Sequence, residues 1–121
     1  MKKIISIGIT LLACSAALQV NAQDQTLLDM VEKGRQVFEN NCMPCHGTGP
    51  GDDGAPMLPG THALHLKYRG DLPALLTERT DLSVEFIQGV VRNGIASMPP
   101  FRKSEITDQD IQAIMAYIIA E

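Results

Sequence analysis

Cys42 and Cys45 are separated by two residues and His46 follows directly, within the run Asn41, Cys42, Met43, Pro44, Cys45, His46. A C-x-x-C pair admits a dithiol redox couple, half of a zinc site or covalent attachment of haem, and a histidine after the second cysteine points to the last. Attachment needs two thiols that add to the two vinyl groups on one edge of the macrocycle. In a helical turn this spacing sets both sulfurs on one side. His46 then reaches the iron from the proximal face, and the tether keeps it there at high effective concentration. A closed zinc site wants four ligands, and the only further candidates are His62 and His65, with no second cysteine pair. A thioredoxin-like pair needs a preceding strand in a βαβ setting, whereas the segment before Cys42 reads as helix. The predicted cofactor is one covalently attached haem c.

The second axial position of such an iron separates electron carriers from ligand-binding or catalytic haems. Met98 is the predicted sixth ligand. It follows a helix stop at Gly94 and precedes Pro99 and Pro100, which hold the backbone extended. Methionine is usually core filler, and the others have that or a local explanation. Met30 and Met115 fall in predicted helices, Met43 lies inside the attachment motif, and Met57 is close in sequence to the proximal ligand. A competing arrangement has His62 or His65 displace Met98 and make a bis-histidine haem. A His46 and Met98 pair saturates the iron and favours one-electron exchange, so the expected function is electron transfer and not enzymatic turnover. The alternatives are a haem enzyme or gas sensor with a labile or open sixth site, and a structural haem subunit needed only for assembly.

Two local patterns carry no such weight. Gly49, Gly51 and Gly54 satisfy G-x-G-x-x-G, but dinucleotide binding requires a strand before and a helix after, and neither flank reads that way. Asp52 and Asp53 lack the remaining oxygen ligands of a calcium loop and read as a solvated turn. The stretch from Gly47 to Gly60 holds five glycines and three prolines in 14 residues, which predicts a loop.

The elements that must position these groups read as helices. Leu27, Val31, Gly34 and Phe38 make one face of a predicted helix from about Thr26 to Asn40, with Thr26 and Asp29 as a capping pair. Leu72, Leu75 and Leu76 share a side of a second segment, Asp71 to Arg79, with Pro73 in its first turn. Ser83 caps a third carrying Val84, Ile87 and Val91 and ending at Gly94. Thr107 with Asp110 opens a fourth, whose Ile111, Ile114, Met115, Ile118 and Ile119 recur at helical spacing and imply burial on more than one face. The expected fold is small and all-α.

The 121 residues allow one small domain. Met1, Lys2 and Lys3 precede an uncharged run of 15 residues, Ile4 to Leu18, and then Gln19, Val20, Asn21, Ala22. The run is shorter than the ~20 residues of a membrane span and matches a secretory signal, so residues 1–22 are the expected signal peptide and 23–121 the monohaem domain. The expected location is periplasmic. Leu11, Leu12, Ala13 and Cys14 also spell a lipobox, which would make the protein a membrane-anchored lipoprotein through Cys14. Residues 23–121 keep all 14 acidic side chains and only eight of the ten basic ones, a net charge of −6, which argues against nucleic acid as a partner. With no Trp, three Phe and two Tyr, large apolar side chains are scarce, which leaves room for a cofactor in the core.

At these residues the chain resembles the class I cytochrome c family, over nearly the whole of 23–121. The family's first helix carries a glycine and an aromatic four apart, matched by Gly34 and Phe38, and its last helix an aromatic that packs on them, matched by Tyr117. The family's P-x-L-x-G is matched by Pro56, Met57, Leu58, Pro59 and Gly60, and its N-G then M-P-x-F pattern by Asn93, Gly94, Met98, Pro99 and Phe101. The resemblance implies a haem enclosed by about four helices with the first and last packed together. It also implies that the Pro56 carbonyl accepts a hydrogen bond from His46, fixing its tautomer. Redox proteins are the implied partners, docking at the exposed haem edge near Met43, Pro44, Ala55 and the loop Ala96 to Phe101. The basic ring of mitochondrial-type carriers is not evident, with Arg92, Arg102 and Lys103 the local exceptions. A narrower likeness, in Leu64 to Leu82 and Phe101 to Ile106, is to cytochrome subunits of bacterial flavin-dependent oxidoreductases of phenolic substrates. It implies a flavin-dependent dehydrogenase as electron donor.

Overall fold

Thr107 starts the last helix with a reciprocal cap: its hydroxyl accepts from Asp110 N at 3.1 Å while the Asp110 carboxylate accepts from Thr107 N at 2.8 Å. The resulting helix buries Ile111, Ala113, Ile114, Met115, Tyr117 and Ile118 and forms one wall of the core. In a computed structural model, which describes residues 22–121, this is the fifth helix in an all-helical order. The helices are α1 (Ala22–Asn41), α2 (Met43–His46), α3 (Pro59–Tyr68), α4 (Val84–Asn93) and α5 (Asp108–Ala120), with a 3-10 turn at Leu76–Glu78 between α3 and α4. Among the described residues no helix is long and apolar enough to cross a membrane. Residues 1–21 of the expected signal peptide 1–22, with Cys14 of the lipobox, lie outside the described residues.

α1 and α5 pack together, as expected, through the residues picked out in the sequence. Gly34 sits at their crossing beside Ala113, the Phe38 and Tyr117 rings meet at 5.5 Å between centroids with a 55° tilt, and Lys33 reaches Asp110 at 2.8 Å. Phe38, Val91, Ile106, Ile111, Ile114, Met115, Tyr117 and Ile118 form one continuous core, and Val31, Leu76, Leu82, Met98 and Phe101 pack on its margin.

Several local expectations give way to the tertiary structure. α1 already includes Ala22, four residues before the predicted start, and Thr26 does not cap it: its hydroxyl donates to the Ala22 carbonyl at 2.8 Å from inside the helix. Leu27 is exposed rather than core, because the core-facing side of α1 begins only at Val31. Ile119 is 76% exposed on the outer face of α5. The segment Asp71 to Arg79 is not a helix beyond its 3-10 turn, since Pro73 cannot donate and drives Leu72 away from the helical region. Arg79 fixes that segment instead. Its buried guanidinium holds Asp81, with Nε at 2.7 Å, and stacks over the Tyr68 ring at 4.6 Å.

The predicted loop from Gly47 ends at Leu58, because α3 begins at Pro59. Its sequence signal is Pro59 at the first helical position, and its stop is Arg69 in the left-handed region at φ 50° followed by Gly70 at φ 98°. The apolar residues of α3 are spread around the helix, so no stripe announced it.

Candidate functional site

α2 is a single helical turn built on the Cys42 carbonyl, which accepts from Cys45 N at 3.1 Å and His46 N at 2.8 Å, while Gly47 N bonds the Met43 carbonyl at 2.8 Å. Residues three apart share a helix face, so the turn presents Cys42 and Cys45 together. The two form no disulfide; Cys42 is half-buried against the core and Cys45 is exposed. Burial, and secondarily the neighbouring Cys45, pushes the Cys42 thiol up to about 11, so it stays protonated near neutral pH.

His46 is half-buried at the end of this turn, and burial lowers its pKa, which favours the neutral imidazole that ligates iron. Its Nδ1 is buried and makes no hydrogen bond. Pro56, the acceptor implied by the resemblance, is exposed and lines a cleft of about 230 Å³ beside Gly47 and Thr61; no bond joins it to His46. What lies against the imidazole is α3. Gly60 is close enough that a β-carbon there would sit 2.7 Å from His46 Cε1 and 2.8 Å from Nδ1. The Thr61 hydroxyl donates to the Gly47 carbonyl at 2.8 Å. Sequence reasoning placed Gly60 only at the end of the P-x-L-x-G match, with no contact to His46, and did not single out Thr61. The available signal was a glycine one residue into a helix, where it costs ~1 kcal/mol against alanine.

Met98 is carried by a tight turn after α4. Gly94 ends α4 at φ 69°, and Ile95 and Met98 exchange backbone hydrogen bonds of 3.1 and 2.9 Å around Ala96, which is left-handed at φ 50°. A side chain at Gly94 would come within 2.6 Å of the Met98 carbonyl, so glycine is required there twice over. The turn is latched to the helices: Phe101 N bonds the Val91 carbonyl at 2.8 Å, and Arg92 bridges the Phe101 carbonyl at 3.1 Å and Asp108 at 2.7 Å. Met98 is half-buried and packs on the core margin that Cys42 also flanks. The other methionines are placed differently, with Met115 in the core, Met30 and Met43 exposed at 38% and 37%, and Met57 in the loop before α3.

His62 and His65 both lie on α3, which packs on α2. His62 lines a cleft of about 460 Å³ with Pro44, Asp52 and Met57, on the side of the attachment motif, and His65 is exposed. The glycines at 49, 51 and 54 belong to the loop between α2 and α3 and follow a helix, with no strand before them among the described residues.

The donor set fits a c-type haem. Two thiols share one helical turn, a neutral imidazole with an orphaned buried nitrogen closes that turn, and a thioether stands on a separately braced loop.

The family described as cytochrome c oxidase, cbb3-type, subunit III, matches residues 29–118. A cytochrome c6 from Cyanidioschyzon merolae is 31% identical over the whole chain and 95% of that protein. A cytochrome c6 from Leptolyngbya boryana is 32% identical over 86 residues, 71% of this chain and 86% of that protein. No solved structure matches significantly. The chain therefore belongs to the family of cytochrome c oxidase, cbb3-type, subunit III, and is a small monohaem c-type cytochrome with one covalently bound haem c.

Proposed function

We propose that this cytochrome is a single-electron carrier with His46 and Met98 as axial ligands, attached through Cys42 and Cys45. The bracing of the Met98 loop carries the reading. Paired Ile95 and Met98 backbone bonds, the Gly94 stop and the Arg92 bridge hold one thioether-bearing turn at a fixed place on the core margin. A filler methionine needs none of these. The placement of His62 and His65 on the helix beside His46 further favours Met98 over a second histidine as the distal ligand.

When bound, the haem supplies a reversible one-electron couple at its iron. The chain's contribution is positional. Neutral His46 and the Met98 thioether would hold the iron between them and leave no coordination site for a substrate, and a thioether would favour the ferrous state relative to a second imidazole. Residues 1–22 serve as the export signal and 23–121 as the periplasmic haem domain. Electrons pass from a periplasmic dehydrogenase, with a flavoprotein the favoured class, to a downstream cytochrome or oxidase.

Partner contact falls on the apolar surface around the attachment turn and the Met98 loop, where Met43 is 37% and Ile95 53% exposed. The neighbouring cations are not a free basic ring. Arg92 and Lys103 both bind Asp108 at 2.7 Å, and Arg102 binds Glu105 at 3.0 Å. Such pairing favours a docking face that is apolar and close to neutral over one built on lysines.

The visible spectrum of the purified holoprotein tests the ligation. A low-spin ferric form with the weak sulfur-to-iron band at the red end is expected. A high-spin ferric form lacking that band would move the protein to the ligand-binding or catalytic alternative, and a low-spin form lacking it would give the sixth position to a histidine.

A further inference from the structure

The proximal imidazole is held from an unexpected side. The loop proline makes no bond to His46, and the first turn of α3 lies directly on the ring. Gly60 is the point of contact: an added β-carbon would meet His46 Cε1 at 2.7 Å, His46 Nδ1 at 2.8 Å and the Cys45 carbonyl oxygen at 2.8 Å. Separations this short cannot be absorbed without moving the ring or α3, because two of the three atoms belong to the imidazole and the third to the backbone of the attachment turn.

Thr61 pins that approach. It is 5% exposed, and its hydroxyl donates to the Gly47 carbonyl, the residue directly after His46, at 2.8 Å. This buried bond runs from α3 to the end of the attachment turn, so it fixes how close the helix start comes to the ring. Gly60 is not at positive φ, so its absent side chain serves close approach and not backbone freedom.

We infer that Gly60 and Thr61 form a clamp, built into the start of α3, that sets the orientation of the His46 imidazole toward the iron. They are positioning residues, acting through His46 without touching the metal. The inference rests on His46 being the proximal ligand. A ring tilted out of its seat donates less strongly to iron, and a weaker nitrogen donor stabilises the ferric state less. Filling the Gly60 space therefore raises the reduction potential.

The test is proton NMR of the ferric holoprotein, reading the hyperfine-shifted His46 ring and haem methyl signals, together with the reduction potential, in Gly60→Ala and Thr61→Val. Gly89→Ala is the control, since Gly89 has open space around it on exposed α4. Both clamp variants are expected to displace the hyperfine-shifted signals and raise the potential, with the larger change in Gly60→Ala. Thr61→Ser, which keeps the hydroxyl, is expected to restore wild-type values. Should Gly60→Ala fail to retain haem, the Thr61 pair decides alone. Wild-type signals and potential in Thr61→Val, or in a haem-loaded Gly60→Ala, overturn the clamp. A wild-type protein without His46 hyperfine signals overturns the ligation reading itself, which separates the two failures.

Discussion

Gly34 and Ala113 touch so closely that a β-carbon on Gly34 would lie 1.8 Å from the Ala113 carbonyl oxygen and 2.4 Å from its carbonyl carbon. The two longest helices thus meet backbone to backbone. One turn further on, Phe38 and Tyr117 close the contact with their rings 5.5 Å apart.

Gly34→Ala is therefore expected to destabilise the folded protein by about 3 kcal/mol, because the obstacle is backbone and not a mobile side-chain tip. Guanidinium denaturation of the holoprotein measures it. Gly89→Ala, in open space on α4, is expected to go the other way by about 0.5–1 kcal/mol.

Removing the thioether tests the sixth ligand. The ferrous wild type is expected to resist carbon monoxide, whereas Met98→Ala binds it readily, loses the red-end sulfur-to-iron band and shows a lower reduction potential. Carbon monoxide titration followed by absorption checks this, and ready binding by the unsubstituted protein would remove the carrier assignment.

The proposed attachment uses both thiols of the α2 turn. Cys42→Ala or Cys45→Ala leaves one thioether, and a several-fold lower yield of holoprotein is expected because a domain this poor in large side chains relies on its cofactor to fill the core. Haem-stained yield per cell, with mass spectrometry for residual attachment, measures the effect; undiminished yield would contradict it.

The α5 cap gives the protein an acid-sensitive bond between helices. Lys33, and then Thr107, hold the Asp110 carboxyl down at about 2 from its ordinary 3.8. The folded value is the lower one, so this stabilisation is present above pH ~3.8 and is lost as pH falls from there towards ~2. Denaturation midpoints of the wild type are expected to drop across that window more steeply than those of Asp110→Asn. Thr107→Ala is expected to cost about 1 kcal/mol at neutral pH, as the cap is lost.

Cys14→Ser distinguishes the two export readings. With cleavage after Ala22 the variant is expected to match the wild type in mature mass and fractionation. A shift from membrane to soluble fraction would show that the lipobox operates.

The candidate attachment turn stood out in the sequence because Cys42, Cys45 and His46 lie within five residues, so one helical turn suffices to assemble them. Caps at Ser83 and Thr107 and the glycine stop at Gly94 were legible for the same reason, being bonds between near neighbours. Gly34, Phe38 and Tyr117 were also found, through a resemblance that supplied the long-range pairing. The expected helix at Asp71 to Arg79 failed because an apolar stripe does not outweigh Pro73, and α3 was missed because its apolar residues form no stripe.

What the sequence alone determined is which groups are the candidates for the chemistry; what the tertiary structure decided is what holds them. The burial of His46 Nδ1 without a partner, the seating of Gly60 against the imidazole and the Arg92 bridge from α4 to Asp108 each join segments well separated along the chain. No local propensity encodes such approaches. They exist only once α1 and α5 have packed and the intervening segments have closed around the attachment turn, where a missing β-carbon or a single buried hydroxyl sets the distance between backbones.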